Sequence, residues 1–474
     1  MTPSSFEDSV DLKTKATSGE ESDRAWLTDP YKRDPSFFLD PPGSFRKMIR
    51  YWGPGLILTA SVVGSGELIA TTSLGASVGF VALWLILISC VIKVALQLVI
   101  GRYAIFTGET TLTFMDQIPG PRLRASWFTW AWLLMLLFVN LQQGAMLGGV
   151  AMVLNIVMPG LSITVWAMII AVVVMALLMV GRYGLLEKLS TAMVASFTLT
   201  TIISGLLLQS TEFGLSIPDL VEGMKFRLPE GGVAIAIAVF GITGIGTTEI
   251  IFYPYWCIEK GYARAVGVYD GSEGWYARAK GWIRTMNWDA FLSMVIYTIL
   301  TIAFYTLGAA VLHPQGLFPE GNEMIIVLSE MYTKVIGAGA FYLFLLGAFF
   351  ALFSTIFVSV AANARLFADC FHLIGIAKIQ SYADRMRWVR GLIVAMPILH
   401  FVLFISFQMP VWMVIVGGTA QTLLLPAIAF GTLYLRYKKL SKRLLPSRTL
   451  DVVLWISALV IFLVAAYAVI DKFN

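Results

Sequence analysis

The chain is poor in charge, histidine and cysteine. Only 13% of its 474 residues are Asp, Glu, Lys or Arg, against 58% hydrophobic residues, and its mean hydropathy is +0.78. A soluble fold could not cover so much apolar side chain, so the composition excludes one and points to a polytopic helical membrane protein. The three cysteines (Cys90, Cys257, Cys370) fall singly in apolar segments, at spacings that exclude a zinc site or a disulfide framework. Of the three histidines, His313 and His372 lie at segment ends. His400 is alone in an apolar stretch, where it reads as a hydrogen-bonded core residue. No Asp/Glu/His series suited to an intramembrane proton relay is evident. Nor is there a nucleophile–base set or a cofactor motif, so the sequence argues against an enzyme and asks for no cofactor. The N-terminus is polar, without the apolar stretch of a cleaved secretory signal.

What the sequence has in abundance is long apolar runs. Eleven are of spanning length, at about 20 residues per crossing. They fall near 54–78, 80–104, 127–157, 163–180, 189–209, 231–257, 286–311, 336–364, 389–407, 410–436 and 450–470. With the N-terminus inside, inside segments hold 29 of the 34 Lys and Arg, outside segments hold four (Lys225, Arg227, Lys334, Lys472), and Lys93 lies within a span. This bias places the N-terminus in the cytoplasm and, with eleven spans, the C-terminus outside an inner (cell) membrane.

Residues 1–45 read as a polar, poorly ordered cytosolic tail, with Phe37, Phe38 and Leu39 placed to dock on the membrane face. The next ten spans divide five and five, at 46–212 and 213–440. The segment 441–474 adds an eleventh. An odd number of spans per half gives the halves opposite orientations, the layout of an inverted repeat. The basic, aromatic loop 260–285 (Arg264, Trp275, Tyr276, Arg278, Lys280, Trp282) reads as an interfacial helix on the inner leaflet rather than a nucleic-acid surface. The outer loops carry acids (Glu212, Asp219, Glu222, Glu230; Glu320, Glu323, Glu330) that either attract cations or are simply solvated.

The first span of each half is interrupted. Gly64-Ser65-Gly66-Glu67 and Gly244-Ile245-Gly246-Thr247-Thr248-Glu249 each put a carboxylate just after a Gly-x-Gly in mid-span. Paired interruptions in matching positions of two halves point to a transporter binding site. Unwinding frees backbone carbonyls, here those of Ser61, Val62 and Val63 and those around Ile242 and Thr243, and a helix end of this polarity favours a cation. Carboxylates with carbonyls make an oxygen-rich site suited to hard ions such as Mg²⁺, Mn²⁺ or Ca²⁺. The plainer readings are a Glu favoured by a helix dipole and a Gly-x-Gly used for close packing. One interruption leaves these level with a binding site, while two in equivalent positions favour the site. Lys93 lies at a depth similar to Glu67, so either it pairs with Glu67 structurally or snorkels, or it competes with a cation for that carboxylate. Asn140, Gln142, Gln143 and Asn155 make the third span polar, with interhelical hydrogen bonding the favoured role.

These residues resemble the Nramp family of divalent-metal transporters, of LeuT-like fold, over about 50–440. Gly64 through Ala70, with Gly75-Ala76-Ser77-Val78-Gly79-Phe80, is similar to the family's Asp-Pro-Gly-Asn segment and the Gly-Ala-x-x-Gly-aromatic after it. Arg102 with Thr107-Gly108, Gly181-Arg182-Tyr183 with Leu186-Glu187-Lys188, and Asp289 resemble further family positions. The site departs from the pattern. Gly64 stands where the family has its metal-binding Asp, and Glu67 where it has Asn. Glu249 stands near the Met of a missing Met-Pro-His, and Gln143 replaces a third-helix acid. The resemblance implies an eleven-helix, all-α membrane protein with a five-plus-five inverted repeat and one extra helix, and extends to the magnesium-linked branch.

The expectation is a secondary transporter or facilitator of divalent cations working by alternating access. Glu67 and Glu249 are its anionic ligands, and Gly64, Gly66, Gly244 and Gly246 free the backbone. Ser65, Thr247 and Thr248 are helper oxygens, Lys93 is the electrostatic partner, and the lipid bilayer is the surrounding phase. The alternative keeps the fold and carries a small organic solute; a non-transporting receptor stands third.

Overall fold

The computed structural model describes residues 29–180, 183–229 and 231–470. Most of the expected tail (1–28), Gly181, Arg182, Glu230 and Lys472 lie outside the described residues. The molecule is all-α. A ladder of two-residue strands, Arg122–Leu123 with Ala125–Ser126, is the only β-pairing among the described residues. Among them, nine helical stretches are long and apolar enough to cross a membrane. The first, Pro54–Thr107, runs for 54 residues and is interrupted at Gly79, whose φ of +62° and extended ψ break the helix and so divide it into two of the expected spans. The shorter apolar helix Ile163–Met179 supplies another. Each of the eleven apolar segments is thus helical.

The helices that shape the core are α1 (Pro54–Val62), α2 (Thr72–Val78), α3 (Leu83–Thr107), α4 (Trp127–Val157), α5 (Ile163–Met179), α6 (Tyr183–Leu208), α7 (Val233–Ile242) and α8 (Thr247–Glu259). They are followed by α9 (Glu273–Leu307), α10 (Ala340–Leu373), α11 (Tyr382–Phe407), α12 (Pro410–Tyr434) and α13 (Arg448–Ile470). Pro54 and Pro410 stand at helix starts, where a missing N–H costs nothing. The first turn of α1 is capped from a distance. Asp289 of α9 accepts from the Gly53 amide at 2.9 Å and the Gly55 amide at 2.7 Å, and also holds the Tyr253 hydroxyl at 3.0 Å. The innermost layer is α1, α2, α7 and α8. It is enclosed by α3, α9, α10 and α12, while α13 packs outside against α3 and α12.

Two expectations at the basic end of the bundle are corrected. The loop 260–285 is not an interfacial helix. Its second half is the first part of the 35-residue α9, and Trp275 and Trp282 are fully buried. The tail is also not free along its described length. The Leu39 amide donates to the Ala265 carbonyl at 2.9 Å, the Trp282 indole donates to the Leu39 carbonyl at 3.0 Å, and Arg278 lies 4.2 Å from the Phe38 ring centroid. Upstream, Tyr31 donates to Glu259 at 2.6 Å, and Arg33 donates to the Ile105 carbonyl at 2.7 Å. Of the aromatics that suggested a lipid interface, Trp282 packs under Leu39, and Trp275 packs against Phe106, Tyr269 and Tyr276. An amphipathic ring is served equally by headgroups or by protein.

The same end carries the ion pairs of the interior. Arg365 pairs with Glu259 at 2.5 Å, Arg385 with Asp369 at 2.7 Å, and Lys260 with Glu187 at 2.7 Å. They tie α8 to α10 and α6, and α10 to α11. Their burial is tolerable because each charge has a partner.

Candidate functional site

The two interruptions differ in form. At the first, the helix does not unwind. It continues through Val63–Thr71 in π-helical winding, and α2 follows directly. The half-helix end expected at Ser61–Val63 is therefore replaced by a wider turn. Carbonyls displaced from α-helical bonding are met by hydroxyls five residues on, with Thr71 donating to the Gly66 carbonyl at 2.7 Å and Thr72 to the Glu67 carbonyl at 3.3 Å. The second interruption is a true break. Thr243 is extended, Gly244 has φ +75°, and α8 starts afresh at Thr247.

The glycines are required by close approach. A Cβ on Gly64 would lie 2.6 Å from Thr355 Oγ1 and 2.8 Å from the Ala351 carbonyl oxygen, both on α10. The Gly64 amide donates to that Thr355 hydroxyl at 2.9 Å. The position at which the resemblance places a metal-binding Asp is thus closed by α10 and has no room for a side chain. A Cβ on Gly66 would stand 3.0 Å from the Ile242 carbonyl oxygen, which is where the two interruptions touch. A Cβ on Gly246 would crowd Glu249 Oε2, the movable end of a side chain, so this glycine leaves the carboxylate its present position.

Glu249, in the first turn of α8, lies in a polar network drawn from four helical segments. Its Oε2 accepts from the Thr248 hydroxyl at 2.7 Å and its Oε1 from the Ser61 hydroxyl at 3.3 Å. Gln421 of α12 accepts from the Thr248 amide at 3.3 Å through Oε1 and donates through Nε2 to Gln142 Oε1 at 2.8 Å. Gln142 in turn donates to the Ser65 hydroxyl at 2.8 Å, and the Thr247 hydroxyl donates to the Gln421 carbonyl at 2.8 Å. Around this carboxylate the donor atoms are all oxygen or amide nitrogen.

Glu67 occupies a separate niche. Its Oε1 accepts from the Gly244 amide at 3.0 Å and from the Thr301 hydroxyl of α9 at 2.6 Å, while its Oε2 has no hydrogen-bond partner. No hydrogen bond joins the two carboxylates. Among the described residues, no group of three or more His, Cys, Asp or Glu is arranged to hold a metal ion. A cation here would rely on carboxylate, hydroxyl and amide oxygens together.

Lys93 corrects another expectation. It makes no ion pair with Glu67, nor with any other carboxylate among the described residues. Its ammonium instead donates to the carbonyls of Phe240 and Thr243, each at 2.7 Å. The last carbonyls of a helix have no intrahelical donor, and the ammonium supplies one.

Sequence reasoning missed Gln421 and Thr301. The only signal for either was a polar residue midway along an apolar span. Gln142 was read as interhelical glue and is that, but within the network of Glu249. Asn140 and His400 pair across α4 and α11 at 2.9 Å.

With this geometry in place, comparison with known proteins settles the family. The family model described as natural resistance-associated macrophage protein-like (Nramp) matches residues 55–471. The chain belongs to the Nramp family. It is an integral membrane protein from a family of transporters, not an enzyme. An uncharacterized protein of Pasteurella multocida is 25% identical over 68% of this chain and 70% of its own length. The divalent metal cation transporter MntH of Caldanaerobacter subterraneus is 24% identical over 65% of this chain and 69% of its own. Among solved structures, the Eremococcus coleocola manganese transporter superposes with a TM-score of 0.66 at 14% identity, covering 93% of this chain and 91% of that one. MhsT in complex with L-phenylalanine gives 0.55 at 14% identity, covering 90% and 99%. Likenesses this low in identity speak to the fold. The Nramp chain has the all-α, LeuT-like architecture.

Proposed function

We propose that this Nramp protein is a secondary transporter of hard divalent cations, working by alternating access about the π-helical segment of the first span and the break between α7 and α8. The observation that carries the reading is the pair of buried carboxylates, Glu67 and Glu249, with no cationic side chain at ion-pair distance among the described residues. Of the other interior acids, Glu259 and Asp369 have arginine partners, and Asp289 is held on both oxygens by the Gly53 and Gly55 amides and the Tyr253 hydroxyl, whereas Glu67 keeps one oxygen free. A charge at membrane depth costs roughly 2.5–3.5 kcal/mol even by the mildest scales, so an acid kept there without a counter-ion suits a cationic substrate. The donors around Glu249 are hard, which favours Mg²⁺, Mn²⁺ or Ca²⁺ over softer ions. Glu249, Thr248, Ser61 and Ser65 provide the oxygens in this reading, with Gln142, Gln421 and the Ser61 hydroxyl added to the set foreseen from the sequence. Glu67 guards the break, its free oxygen available to an ion in transit. Gly244 and Gly246 shape the backbone there.

The organisation proposed is a cytosolic N-terminal segment to 45, repeats at 46–212 and 213–440, and a final helix, in the cell membrane with the N-terminus inside. The relatives named for divalent metal and manganese transport support the substrate class. The test is uptake of Mg²⁺, Mn²⁺ and Ca²⁺ by proteoliposomes, with and without a proton gradient. Saturable uptake of at least one ion is expected, and it should be lost in the double variant Glu67→Gln/Glu249→Gln. Folded protein that moves none of them overturns the reading.

A further inference from the structure

Lys93 is the one fully buried lysine among the described residues, and the cation site just described does not use it. It projects from α3 to the end of α7, where the last carbonyls have no intrahelical donor and the helix dipole presents its negative end. Two of those carbonyls, Phe240 and Thr243, each take the Lys93 ammonium at 2.7 Å and the Ser89 hydroxyl, one turn earlier on α3, at 3.2 Å. The ammonium also lies 5.5 Å from the Phe240 ring centroid, where the π face adds attraction. The carbonyl of Thr243 and the amide of Gly244 belong to one peptide group. Lys93 holds its oxygen and Glu67 holds its N–H at 3.0 Å. The positive and negative side chains thus sit at the matching ends of a single peptide dipole. They compensate each other through it, without direct contact.

We propose that Lys93 is a tethered cation. It takes the place that an inorganic monovalent ion would fill among the carbonyls of the broken helix, in the way that carbonyl oxygens replace an alkali ion's hydration shell. Two consequences follow. The carbonyls of Phe240 and Thr243 are not ligands of the transported ion, and the broken helix keeps its shape without sodium or potassium. Lys93 is a positioning residue, since it acts through the backbone it holds.

The experiment measures the melting temperature of the purified full-length protein while Na⁺ or K⁺ replaces choline at constant ionic strength. Wild type should be indifferent to the exchange. Lys93→Met should melt lower in choline and recover by several degrees when Na⁺ or K⁺ is supplied, because binding to the folded state alone raises its stability. Lys93→Gln keeps an N–H donor for one carbonyl, so it serves as the better-folding neutral variant and should show the same recovery. Lys93→Arg should restore indifference. A wild type that gains as much from alkali ions as the neutral variants overturns the proposal. So do folded neutral variants that respond to neither ion. Because the readout is stability, the result is independent of whether the protein carries divalent metals.

Discussion

Glu249→Gln is expected to lower divalent-cation uptake by about 100-fold or more while leaving the protein folded. Removing one partner of a buried charge pair costs roughly 2–5 kcal/mol, and each 1.4 kcal/mol is about tenfold in affinity. The substituted amide is close in shape to the carboxylate and retains one oxygen to accept from Thr248 or Ser61, which now reach it at 2.7 and 3.3 Å. Deleting a buried charge that lacks an ionic partner also removes its desolvation penalty, so the melting temperature should hold or rise. Uptake and thermal unfolding measured on the same preparation separate the two effects. Lost uptake with preserved stability marks a residue that serves the substrate. Lost uptake with lost stability marks a structural one.

Gly244→Ala is expected to show the opposite pattern, a large loss of stability. The residue sits at φ +75°, where an L side chain costs about 1–2 kcal/mol. A Cβ there would also lie 2.8 Å from the Cys90 Cα, a backbone atom that cannot rotate away, and 3.3 Å from the Tyr297 ring. Overpacking of this kind costs a further ~1–3 kcal/mol. The displaced peptide is the one held by both Lys93 and Glu67, so the damage reaches the core of the break. A clear fall in melting temperature, together with reduced yield, is the expected result. A Gly244→Ala protein as stable as wild type would show that the positive φ is not needed in the native state.

Hydropathy alone made the eleven apolar, helical segments legible, because a bilayer demands a run of about 20 apolar residues whatever surrounds it. The two Gly-x-Gly interruptions were legible for the same reason, as polar, flexible punctuation in otherwise apolar runs. What the interruptions become was not. Gly64 and Gly66 tolerate a π-helical turn because Thr71 and Thr72 cover the displaced carbonyls, whereas only Gly244 adopts a positive φ. Nothing in the spacing of the two motifs distinguishes these outcomes.

The partner of Lys93 was misjudged because depth along a span says nothing of azimuth. A lysine and a glutamate at equal depth can face different neighbours, and here both face the same peptide from opposite ends. Gln421 lies more than 170 residues from Glu249, and only packing of α12 against α4 and α7 brings it there. At the basic end, Trp275 and Trp282 carry an amphipathic signature that fits a headgroup layer as well as it fits a protein interior, where Trp282 meets Leu39 and Trp275 meets Phe106 and Tyr269.

The central claim is that a divalent cation binds at the Glu249 carboxylate between the first span and the break that separates α7 from α8. The most direct measurement is an anomalous-difference map from crystals of the full-length protein grown with Mn²⁺, recorded at the manganese absorption edge. A peak in contact with the Glu249 carboxylate and with oxygens of Thr248, Ser61 or Gln421 is the predicted result. A well-ordered map from a folded protein with no peak within reach of Glu249 would contradict it.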